Sequence, residues 1–109
     1  MIKRKLKPEE IQLITYMIKD TEEGDRIVSK LSKIIVEEMN DGGMGSLRVV
    51  VDGKDTRRTG GILVDKDFYD EDGMLLIISV ILDTDENFYE LDIFKGDFSP
   101  LKRFPSVPK

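Results

Sequence analysis

The run Met74-Leu75-Leu76-Ile77-Ile78-Ser79-Val80-Ile81-Leu82 constrains this chain more than any other segment, because eight of its nine side chains are apolar. It is about half the ~20 residues that a membrane-spanning helix needs, and its β-branched content suits a strand. Read with period 2, one face shows Met74, Leu76, Ile78, Val80 and Leu82, and the other shows Leu75, Ile77, Ser79 and Ile81. A strand apolar on both faces is expected to be covered on both. Whatever surrounds it must therefore supply two coverings.

Three further strands read around it. Leu47, Val49 and Val51 alternate with Arg48, Val50 and Asp52, placing a strand over Ser46 to Val51. A second covers Gly61 to Asp65, and the last covers Phe88 to Lys95 after the polar turn Asp83 to Asn87. Short turns between the strands favour antiparallel pairing, since parallel pairing needs long crossovers.

Ahead of the strands the period is helical. Pro8 suits a first helical turn and Glu9 and Glu10 suit the positive end of its dipole; Ile11, Ile14 and Ile18 then form a stripe that Leu13 and Met17 widen, ending near Asp20. Asp25 reads as the N-cap of a second helix carrying Ile27, Val28, Leu31, Ile34, Ile35 and Met39, broken by Asn40-Asp41-Gly42-Gly43. The expected fold class is α+β: two N-terminal amphipathic helices, then a four-stranded, mostly antiparallel sheet, then an extended C-terminal segment. Helices cover one face of the sheet. Phe98, Leu101 and Phe104, or another molecule, must cover the second. The 109 residues suit a single domain over 1–109.

Composition excludes more chemistry than it suggests. The chain has no cysteine and no histidine. Disulfides, thiolate metal sites, imidazole ligands and triads built on histidine are therefore impossible. The basic start, Lys3-Arg4-Lys5-Leu6-Lys7, meets Pro8 and two glutamates rather than an apolar run, so it does not read as a signal peptide; the expectation is a cytoplasmic protein without a membrane segment. Net charge is −5, and from Gly60 to Phe94 ten acidic residues face the single cation Lys66. That asymmetry argues against nucleic-acid binding, which needs clustered cations.

Each motif has a plain structural reading beside its functional one. Asp67 to Gly73 has carboxylates suited to a divalent cation, but setting Gly73 at the invariant glycine of a calcium loop puts Phe68 and Ser79 at ligand positions, so a solvated acidic turn is expected. Asp41 to Ser46 is glycine-rich, yet it lacks Gly-Lys-Ser/Thr and runs from helix to strand, the reverse of a phosphate loop. Glu90 and Asp92 lie two apart and share a strand face with Phe88 and Phe94, while Tyr89, Leu91 and Ile93 point the other way. Carboxylates among aromatics can do acid–base work when apolar surroundings raise one pKa, though ion pairing with Arg48 explains them more simply. Arg48, Glu90, Asp92 and Asp97 form the candidate binding set. No catalytic residue, metal ligand or cofactor is assigned.

The stretches Lys3 to Ile11, Met39 to Leu47 and Glu90-Leu91-Asp92-Ile93-Phe94-Lys95-Gly96-Asp97-Phe98-Ser99-Pro100-Leu101 resemble a family of small uncharacterised bacterial proteins, the last block being its most specific part. The resemblance implies a bacterial source and a stand-alone domain, with no activity attached. The leading expectation is a non-enzymatic module whose acidic surface binds a basic protein, as antitoxins and immunity proteins do. The alternative is a small ligand-binding protein or enzyme using the carboxylate pair. A homodimer through the second sheet face is a further option.

Overall fold

The computed structural model describes residues 2–108; Met1 and Lys109, the ends of the expected domain, lie outside the described residues. It corrects the expected fold class. The described residues are mostly sheet: six antiparallel strands in one sheet, with two short helices inserted after the first strand. The elements are β1 (Lys3–Lys5), α1 (Pro8–Ile18), α2 (Gly24–Val28), β2 (Ile35–Glu38), β3 (Leu47–Val50), β4 (Thr59–Tyr69), β5 (Leu75–Asp83) and β6 (Phe88–Lys95).

The expected second helix is the main correction. Only Gly24–Val28 is helical, and Ile35–Glu38 is a strand between β1 and β3. Ile34-Ile35-Val36 is a run of β-branched side chains, stiff at χ1 and better packed on a pleated surface than in a helix. Val36 is fully buried while Ile35 and Glu37 face the other way, the alternation of a strand with one covered face. The basic start is correspondingly a strand. β1 pairs with β2, and Arg4 binds Glu38 and Glu10, the latter at 2.8 Å. Glu10 also accepts the Lys7 backbone N–H at 2.7 Å, tying strand, helix start and β2 together.

Sheet order is β1-β2-β3-β6-β5-β4. The last three strands form a meander, but β3 sits beside β6, so residues 51–58 carry the chain from the middle of the sheet to its far edge. That arrangement resembles a Greek key. Leu13, Ile14, Met17 and Ile18 of α1 pack with Leu76, Ile78 and Val80 of β5 and Leu91 and Ile93 of β6 in one buried cluster.

The tail does not close the second face. Leu101, Phe104 and Val107 pack against the same cluster as the helices. Phe98 alone reaches the other side, its ring 5.1 Å from that of Phe94 and 70% exposed. Register places Ile62, Asp65, Asp67 and Tyr69 of β4, Ile77, Ser79 and Ile81 of β5, and Glu90, Asp92 and Phe94 of β6 on this open face. Ile77 is 39% exposed there.

Candidate functional site

Strand pairing brings three of the four expected residues onto the open face. Arg48 of β3 pairs in register with Glu90 of β6, and its guanidinium donates to the Glu90 carboxylate at 2.9 and 3.1 Å. Asp92 follows two residues on, opposite Ser79. Asp97 stands apart. Its carboxylate accepts the Ser99 hydroxyl and backbone N–H, which hold it below the usual carboxylate range and make it a turn cap after β6.

A bulge changes the expected facing of two aromatics. Leu82 pairs with Phe88 and Ile81 with Glu90, so Tyr89 is the extra residue on β6. Phe88 consequently joins the buried cluster on the helix side. Tyr89 turns instead toward the arginines: its ring centre lies 5.5 Å from the Arg48 guanidinium and 4.7 Å from that of Arg57, both within cation–π range. Arg57 is held in turn by Asp55 at 2.9 Å and by the Val49 carbonyl, which pins the 51–58 connection to the sheet. Arg48 and Glu90 thus belong to an ion and aromatic cluster that braces β3, β6 and this connection.

Asp92 differs from its neighbour. Partial burial and the nearby Glu90 charge push its carboxyl above the ordinary value, against the opposing hydrogen bond from the Ser46 hydroxyl. Ser46 is otherwise committed, accepting the Ile93 N–H at 2.9 Å. Among the described residues Asp92 has no salt bridge, and the same holds for Asp65 and Asp67. These three carboxylates surround Ile77 and Ser79. The sequence reading missed Asp65 and Asp67 as a pair because it ended their strand at Asp65, although the alternation Val64, Lys66, Phe68 against Asp65, Asp67, Tyr69 continues to the end of β4.

The other acids have internal tasks. Asp70 and Asp72 of the acidic turn both accept Lys95 Nζ at 2.8 Å, so a lysine lies where the calcium reading would put a cation. Among the described residues no group of three or more Asp or Glu side chains is placed to hold a metal ion. In the glycine-rich loop, Asp41 accepts the Met44 and Ser46 backbone N–H groups, so the chain's own carboxylate occupies the nest that an anion would need. Gly42, Gly43 and Gly45 take the positive φ angles of that turn, which joins β2 to β3 rather than ending a helix.

Among the described residues, surface clefts of 180 to 320 Å³ open elsewhere, and Arg48, Glu90, Asp92 and Asp97 line none of these. Arg48, Glu90 and Asp92 lie on an open sheet surface, and Asp97 in the turn after it, instead of converging on a pocket.

A family model described as a domain of unknown function (DUF6984) matches residues 3–105. The chain belongs to this family. The match runs from β1 through Pro105, so in DUF6984 the matched unit includes every strand and the tail that packs beside the helices. No curated protein and no solved structure matches the chain. Among the described residues no helix is long and apolar enough to cross a membrane.

Proposed function

We propose that this member of the family is a non-enzymatic protein-binding module, one cytoplasmic domain over 1–109 of bacterial source, that engages a basic protein surface as small antitoxins and immunity proteins do. The supporting observation is the course of the tail. By packing Leu101 and Phe104 on the helix side, it leaves Ile77 exposed between the unpaired carboxylates of Asp65, Asp67 and Asp92. Unpaired carboxylates steer and orient a cationic partner, while the apolar residues between them offer area to bury. The acid–base alternative rests on the raised pKa of Asp92 alone, because Glu90 is bound to Arg48 and the clefts among the described residues do not gather these carboxylates.

Capture from the native host tests the reading. The chain should retain a partner at low salt and release it at about 0.5 M salt, where the Debye length is roughly 4 Å. An Asp65→Lys/Asp67→Lys variant that keeps its fold should not retain it. Capture indifferent to salt and to this charge reversal contradicts the reading, as does the absence of any partner at low salt.

A second copy of the chain is the other occupant that a specific observation favours. Register puts Lys3 and Lys5 on the open face at the β1 edge and Asp65 and Asp67 on the same face at the β4 edge. A two-fold axis along the strands would set the lysines of one copy over the β4 edge of the other. Light scattering over a concentration series separates the readings: a stable dimer supports the second copy, and a monomer throughout supports the foreign partner.

A further inference from the structure

On the opposite side of the sheet from Asp65 and Asp67, a cleft of about 280 Å³ opens beside α2 and the ends of β3 and β6. Its walls are apolar, with Ile27, Leu31, Val49, Val51 and Phe88 among them. Three cations also line it: Arg26, Lys30 and Arg57. The one lining carboxylate, Asp83, is buried and accepts the Asp85 and Asn87 backbone N–H groups at 2.9 and 3.0 Å, closing the β5–β6 turn. Three cations less one carboxylate leave a lining charge of +2 in a chain whose net charge is −5.

The cations are not equivalent. Arg57 is paired with Asp55. Arg26 donates instead to neutral acceptors, the Asn87 side-chain carbonyl at 3.0 Å and the Glu86 backbone carbonyl at 2.6 Å. These bonds fix the guanidinium in position without neutralising it. Lys30 lies four residues on, exposed, and among the described residues has no salt bridge. An apolar slot with one cation held in place, Arg26, and a second, exposed one, Lys30, neither in a salt bridge among the described residues, complements a molecule with an apolar body and an anionic end.

We infer that this cleft is a binding site for a small amphipathic carboxylate, its carboxylate set between Arg26 and Lys30 and its hydrocarbon part against Ile27, Leu31, Val49 and Phe88. The volume decides the size class: at roughly 30 Å³ per water-sized group the cleft holds about nine such groups, a medium-length acyl chain or one substituted aromatic ring. The site is separate from the open face, so the two proposals stand or fall independently.

Titration of the isotope-labelled chain with octanoate, followed by amide NMR, tests this inference. Saturable shifts should centre on Arg26, Ile27, Lys30, Leu31, Val49 and Phe88, while octyltrimethylammonium, with the same chain and the opposite charge, should leave them unmoved. Arg26→Glu/Lys30→Glu should weaken octanoate by roughly tenfold or more, and Val51→Trp, which fills the cleft without changing its charge, should abolish binding. Should the double variant lose its dispersed spectrum, Lys30→Glu alone carries the charge comparison. Equal response to the ammonium, retained affinity in the charge and cleft variants, or shifts that never saturate up to about 10 mM would overturn the inference.

Discussion

Lys95 Nζ lies 2.8 Å from the Asp70 carboxylate, and neither side chain is exposed to solvent. The ammonium's other two donors reach Asp72 and the Pro100 carbonyl, and Asp70 also accepts the Glu71, Lys102 and Arg103 backbone N–H groups. Both buried charges are thus fully hydrogen-bonded, the condition under which such a pair is tolerated. The node clamps the β4–β5 turn, the end of β6 and the tail to one another. It directs Leu101 and Phe104 to the helix side, and the bareness of the open face follows from it.

Removing one partner should therefore be costly. Lys95→Met leaves Asp70 charged and buried, and urea denaturation should show a loss comparable to that of a core truncation such as Leu91→Ala, about 2–5 kcal/mol. Lys95→Met/Asp70→Leu removes both charges and should recover part of it. A Lys95→Met protein as stable as the parent would contradict the role given to the node.

The same node gives stability a pH profile with two edges. Burial disfavours the Asp70 carboxylate, but the Lys102 N–H, Lys95 and two more N–H groups outweigh it and hold the carboxyl well below the usual carboxylate range. A depressed folded pKa stabilises above the unfolded value, about 3.9, and that stability is lost as pH falls below roughly 5. For Lys95, burial is outweighed by Asp70 and Asp72, and its pKa is raised. Its contribution is present below the unfolded value, about 10.4, and is lost as pH rises through the folded one. Thermal melts should show the highest stability between these edges, and Lys95→Met/Asp70→Leu should make both shallower, leaving the acid-side share of Asp55 and Asp97 in place.

Asp92 should behave in the opposite sense. Its raised pKa means that the folded state disfavours the carboxylate, so Asp92 lowers stability as pH rises from the unfolded value, about 3.9, through the folded one. At pH 7 Asp92→Asn should be as stable as the parent or slightly more so, with the difference vanishing in acid. The same variant should bind the partner more weakly, the combination expected of a carboxylate kept for recognition. Loss of stability at pH 7 would assign Asp92 a structural role instead.

Arg48 and Glu90 form an ion pair at the sheet surface, with side-chain exposures of 42% and 15%. Arg48→Met or Glu90→Gln should each cost no more than about 1 kcal/mol in denaturant melts. A much larger loss would mean that the cluster around Tyr89 carries more of the fold than surface pairing explains.

How much of this was legible depended on whether the deciding contacts were local. The last strand was expected over Phe88 to Lys95 and spans that range, because its alternation and the turn before it lie within the segment. Ile27 to Met39 satisfies a helical pattern and, from Ile34 onward, a strand pattern as well. Pairing with Lys3–Lys5 on one side and Leu47–Val50 on the other decides between them, and neither partner is visible from within the segment. The open face was foreseeable only as a choice, since the direction of the tail rests on a bond between residues 25 apart in the chain. Arg48 facing Glu90 was anticipated as a cross-strand pairing. Tyr89 between two arginines was not, because a single bulge reverses the parity on which that reading relied.

Site-specific photo-crosslinking tests the central claim, that the uncovered sheet face is the interface, most directly. A photoreactive amino acid is placed at Ile77 on the open face and, in a second protein, at Gln12 on the exposed side of α1, and both are expressed in the native host. We expect a discrete crosslinked product at Ile77 that is absent at Gln12 and disappears when Asp65→Lys/Asp67→Lys is added. A product at Gln12 with none at Ile77, or one at Ile77 that survives the charge reversal, would contradict it.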